Sequence, residues 1–137
     1  MDPRQVVRGD DGVMRCRECG FRYGLNPREI VERSETGLDA VEAAVAAAPE
    51  GIRSRRPEPA VWSVNAYTSH LADAATVILG RTVTISEQDE PSLAYHDQDQ
   101  AVEESRADER PVDESLVRLR ESVREFQRYV AALPPDA

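Results

Sequence analysis

Trp62-Ser63-Val64-Asn65-Ala66-Tyr67-Thr68-Ser69-His70-Leu71-Ala72-Asp73-Ala74-Ala75-Thr76-Val77-Ile78-Leu79-Gly80 carries one formal charge, at Asp73, in a chain of 137 residues that is 31% charged. Val64, Tyr67, Leu71, Ala74 and Ile78 recur at steps of three and four, which places them in one stripe along a helix. A helix this uncharged is expected at the buried centre of the fold. His70 stands beside the stripe, next to Tyr67, Leu71 and Ala74, with Asp73 close to it. It is the best single candidate for chemistry in the stretch, and its plain alternative is a helix-edge histidine satisfied by packing.

Working outward, Ser63 can cap this helix, with Trp62 anchoring its entry to the core. Upstream, Asn26-Pro27-Arg28-Glu29 is a helix start: Asn is a good N-cap, Pro fits the first helical position, and Glu29 stands where a capping box needs it. The helix is expected over 27–48, with Ile30, Ser34, Leu38, Val41, Val45 and Ala48 facing inward and Pro49-Glu50-Gly51 stopping it. Residues 52–60 read as a loop. Its Arg53, Arg55 and Arg56 are a solvated linker or, alternatively, a subsite for a carboxylate or phosphate. Downstream, Arg81-Thr82-Val83-Thr84-Ile85 reads as a frayed helix end or an extended connection, and 86–111 as an acidic loop. There Asp97, Asp99, Glu103 and Glu104 match no EF-hand spacing and read as a solvated face, with His96 at the surface. Val112, Leu116, Leu119, Val123, Phe126, Val130 and Leu133 then form a heptad stripe, so a third long helix is expected over 112–133, packed in a bundle or a coiled coil. Three long helices close as a three-helix bundle or make three-quarters of a four-helix one.

The bulk numbers bound the function. Only seven residues are aromatic, so the core is built from Val, Ala, Leu and Ile. A formal net charge of −9 argues against gripping nucleic-acid backbone or an anionic membrane through a basic surface. The acidity is local: residues 81–110 carry nine acids against three arginines, while residues 1–34 carry six against seven. No apolar run reaches the length of a membrane span and no signal-peptide core is present, so a cytoplasmic protein is expected.

Residues 1–12 read as a polar arm with a turn at Asp11-Gly12, and a short extended segment leads into Cys16-Arg17-Glu18-Cys19-Gly20-Phe21. Two thiols two residues apart can reach one tetrahedral ion, and glycine can take the positive φ that turns backbone N–H groups toward sulfur. Cys16 and Cys19 are therefore candidate ligands for zinc or another divalent metal. A closed structural site needs four ligands, and no second CxxC follows; His70, His96, acidic side chains or a second copy of the chain are the available sources. The alternative is a reduced or readily oxidised dithiol. A thioredoxin-type motif is disfavoured, because this CxxC does not open a helix after a strand.

Pro59-Ala60-Val61-Trp62-Ser63-Val64-Asn65-Ala66-Tyr67, with His70-Leu71-Ala72-Asp73 after it, resembles the second helix of the DinB/YfiT-like superfamily. Tyr95–Glu104 and the Val112–Leu133 helix ending in Leu-Pro-Pro are similar to it as well, and the front resembles a subset in which a CxxCG-F knuckle precedes the bundle. The resemblance implies an all-α fold, a four-helix bundle holding a divalent metal through three histidines, in metal-dependent hydrolases and in transferases using bacillithiol or mycothiol. His70 matches the ligand from the second helix. The other two come from an H-x-x-x-H pair on a fourth helix that this sequence lacks.

The expected architecture is thus an incomplete DinB-like bundle over 26–137, preceded by an arm and a zinc-knuckle-like segment over 1–25. The expected function is that of a metal-binding helical protein related to thiol S-transferases and hydrolases, without a complete catalytic site and with a low-molecular-weight thiol implied by the resemblance alone. The other reading is a non-enzymatic zinc-binding interaction protein that fills the fourth-helix groove as a homodimer or with a partner helix. Neither reading calls for nucleic acid or membrane.

Overall fold

Asn26 opens the first helix as its sequence requires. Its side chain accepts the Glu29 N–H at 2.9 Å, and the Glu29 carboxylate returns to the Asn26 N–H at 3.0 Å, a complete capping box with Pro27 in the first helical position. The computed structural model describes residues 5–135, so residues 1–4 of the expected arm and the terminal Asp136-Ala137 lie outside the described residues.

Four helices follow a small hairpin. Strand β1 (Val6–Arg8) pairs antiparallel with β2 (Met14–Cys16), then come α1 (Pro27–Ala47), α2 (Val64–Glu87), the short α3 (Gln98–Glu104) and α4 (Val112–Ala131). The chain is mostly helical, as expected, with a two-stranded sheet that the reading of 1–12 as an arm did not contain. The long helices begin at or within two residues of their expected starts. Helix α2 corrects the expectation over 81–85: it runs on through that β-prone string to Glu87, the Thr82 and Thr84 hydroxyls donating to the carbonyls of Ile78 and Gly80 one turn back.

Helix α4 is the centre of the bundle, which corrects the placement of Trp62–Gly80 there. Both α1 and α2 pack along α4 and barely meet each other. Glu42 pairs with Arg120, Glu35 with Arg124, and Gln127 donates to Ser34 at 3.0 Å, so α1 runs antiparallel to α4. Asp73 pairs with Arg118, the Thr76 and Ser122 hydroxyls meet at 2.9 Å, and Ser86 bonds Tyr129, so α2 runs parallel to it. A parallel neighbour requires the connection 88–111 to return along a helix about 36 Å long, and α3 lies on that return.

The α4 stripe behaves as its heptads require: Val112, Leu116, Leu119 and Val130 are buried, and the first three join Leu38, Val45 and Ala72 in one cluster. Burying a Leu or Val of this kind contributes about 1.5–3 kcal/mol. The α2 stripe does not behave so. Tyr67 is 48% and Ile78 52% exposed, and Leu71 is exposed as well. The face turned inward is the small and polar one, Asn65, Ala66, Thr68, Ser69 and Ala72. Small side chains let α2 approach α4 closely, and the Thr68 hydroxyl is satisfied by the Val64 carbonyl at 2.7 Å. Because α1 and α2 straddle α4 without closing on each other, Leu71, Ala74 and Ile78 line an apolar groove of about 300 Å³, with Gly37, Leu38 and Val41 opposite and Leu119, Val123 and Phe126 as its floor.

Candidate metal-binding site

The hairpin positions both cysteines. β2 ends at Cys16, whose N–H donates to the Phe21 carbonyl at 2.8 Å, while the Gly20 N–H donates to the Cys16 carbonyl at 3.0 Å and closes a tight turn. Gly20 sits at φ +74°, the left-handed conformation expected of it, which a side chain there would strain. The backbone N–H groups of Cys19 and then Glu18, together with the Cys19 thiol, hold the Cys16 thiol below its ordinary pKa, because each bond favours the thiolate. Both thiols are free; Cys16 is half-buried and Cys19 exposed. Phe21 and Tyr23 meet edge-on at 5.2 Å beside the turn.

His70 lies elsewhere, on α2. Its ring is half-buried, tilted against the Trp62 indole with centroids 5.1 Å apart, and the same indole packs on Tyr67 at 5.2 Å. Trp62 in turn rests on the buried cluster of Ala66, Val102 and Ala107, so His70 marks the seam between α2 and the return segment. His96 is on that segment and is half-buried rather than at the surface, with its Nε2 covered and without a hydrogen-bond partner among the described residues. Among the described residues no three or more His, Cys, Asp or Glu side chains converge on a point where they can share an ion. The three-histidine set implied by the resemblance does not fit a chain with two histidines placed in this way. The cysteine pair fits a thiophilic ion as two of its four ligands.

Two of the three arginines of 52–60, Arg53 and Arg56, are occupied internally, which removes them as an anion subsite and as a merely solvated linker, while Arg55 stays exposed. Arg53 donates to the Ala48 carbonyl at 2.9 Å at the end of α1, and at 3.2 Å to the Val45 carbonyl, which also accepts the Ala48 N–H. Arg56 donates to Asp108 at 2.9 Å and Glu103 at 2.7 Å. Asp108 also accepts the hydroxyl of Ser63 at 2.6 Å, and its carbonyl accepts from Asn65 at 2.8 Å. Burial alone pushes the Asp108 carboxyl up, but the bonds from Ser63 and Arg56 outweigh it and leave its pKa below the ordinary value. This network ties the return segment to the start of α2. Sequence reasoning saw Ser63 only as a cap, and a contact 45 residues away has no local signal.

A family model described as the DinB superfamily matches residues 34–137. The chain belongs to the DinB superfamily. The match takes in α2 with His70, the return segment and α4, and it leaves the hairpin with Cys16 and Cys19 outside. No curated protein and no solved structure matches the chain. Among the described residues, no helix of this DinB-superfamily chain is long and apolar enough to cross a membrane.

Proposed function

We propose that this DinB-superfamily chain is a zinc-binding protein whose ion is held by Cys16 and Cys19, ahead of the helices, and that its helical part serves association rather than catalysis. The observation that carries the reading is the turn itself: two free thiols two residues apart, closed by the Gly20 N–H on the Cys16 carbonyl with Gly20 at φ +74°. Zinc prefers such borderline-soft donors in a tetrahedron, with Zn–S distances of about 2.3 Å. A reduced dithiol of this kind suits the cytoplasm, where thiols persist as ligands.

Family membership favours a second reading, a divalent-metal and thiol-dependent transferase or hydrolase using His70 as one ligand. Metal analysis separates the two after chelator stripping and reloading of the reduced full chain. The zinc reading expects wild type and His70→Ala to retain the ion and Cys16→Ser to lose it. Metal retained by Cys16→Ser and lost from His70→Ala overturns it in favour of the second reading.

A further inference from the structure

We infer that the zinc at Cys16 and Cys19 is shared between two copies of this chain, each contributing its two thiolates to one four-sulfur centre. The inference rests on the reading above, that these cysteines hold the metal, and adds the source of the two missing ligands. A tetrahedral structural site needs four donors. The chain has two cysteines and two histidines, the latter on α2 and the return segment, and no third donor converges with the thiols among the described residues. A second hairpin supplies two more donors of the same softness and spacing.

The placement of the turn permits this. The hairpin makes no extensive contact with the helices, Cys19 is exposed, and Phe21 beside it is 47% exposed, so an apolar ring is ready to be covered together with the metal. Charge favours the same meeting. The chain as a whole is at −9, but residues 5–25 hold Arg8, Arg15, Arg17 and Arg22 against Asp10, Asp11 and Glu18. Two such hairpins, each near neutral, repel each other less than two copies of the acidic return segment would. Loading converts four thiols and one Zn²⁺ into a tetrathiolate of charge −2 with release of four protons, and Arg17, next to Cys16 in the chain, adds positive charge beside it.

The test uses reduced, chelator-stripped full-length protein titrated with zinc and then with cobalt(II), read by native mass spectrometry, light scattering and absorption. The expected result is one zinc per two chains, a twofold rise in particle mass on loading that reverses with chelator, and cobalt charge-transfer intensity corresponding to four thiolates. The Cys16→Ser/Cys19→Ser double variant is expected to stay at the stripped mass and bind no ion. One zinc per chain with a two-thiolate cobalt spectrum overturns the sharing while leaving the metal-holding reading intact. Failure of the reduced wild type to hold zinc overturns both.

Discussion

Replacing Asp108 with alanine should untie the return segment from the head of α2. The carboxylate accepts a 2.6 Å bond from Ser63, which is 0% exposed, and a 2.9 Å bond from Arg56, while the Asp108 carbonyl that receives Asn65 survives the substitution. A hydrogen bond to a charged group contributes about 1.5–3 kcal/mol, and a buried hydroxyl left without an acceptor costs a comparable amount. Arg56 keeps Glu103 as a partner and is partly solvated, so its share is set aside. The expected loss is about 2–3 kcal/mol, or roughly 6–12 °C in Tm for a chain of this length. Urea unfolding followed by far-UV circular dichroism measures it, and a double-mutant cycle with Ser63→Ala isolates the pair. That cycle should return a coupling of about 1–2 kcal/mol on top of the cap that Ser63 also supplies. A loss for Asp108→Ala below about 0.5 kcal/mol, or a cycle that is simply additive, would refute the reasoning.

Three further outcomes are expected. The Asp108 carboxyl sits below its unfolded pKa, and so does that of Glu35, through Arg124 and then Gln127; both therefore contribute stability that is complete above their unfolded values near about 4 and lost as pH falls through the lower folded ones. The urea midpoint should be flat from neutrality to about pH 5 and drop below about pH 4, less steeply in Asp108→Asn and Glu35→Gln. Leu119→Ala, at the buried centre of α4, should cost about 2–5 kcal/mol, whereas Ile85→Ser, on the exposed side of α2, should change stability by no more than about 0.5 kcal/mol, both read by urea unfolding. Gly20→Ala meets no atom but must hold φ +74°, which costs about 1–2 kcal/mol; zinc competition against a chromogenic chelator should show weaker retention with the helical signal unchanged.

The long helices were legible because their signals are local. The Asn26-Pro27-Arg28-Glu29 start and the Val112–Val130 heptads each state their structure within a few residues. What the sequence hid was which face of α2 turns inward. Periodicity marks an apolar stripe and says nothing about whether a neighbour reaches it; here Tyr67, Leu71 and Ile78 stay exposed while Ser69 and Ala72 are buried against α4. The parallel sense of α2 and α4 was equally hidden, since it depends on pairs such as Asp73 with Arg118, 45 residues apart. At the candidate site the turn conformation of Cys16–Gly20 was readable from glycine's freedom. The roles of Arg53 and Arg56 were not, because a cluster of arginines reads alike whether it awaits an anion or binds the chain's own carbonyls and carboxylates.

The position of α4 at the hub sets an order in time during synthesis. The first two long helices are complete at Glu87, yet the surface that unites them reaches as far as Val130. At about 5–20 residues per second, the ribosome takes roughly 2–9 s to add those residues. Throughout that interval the part of α2 that α4 will cover, Ala72 within it, is open to any hydrophobic surface nearby, as is its apolar stripe. Nascent chains stalled before Val112 should therefore be bound by holdase chaperones, and chains released with α4 free of the ribosome should not.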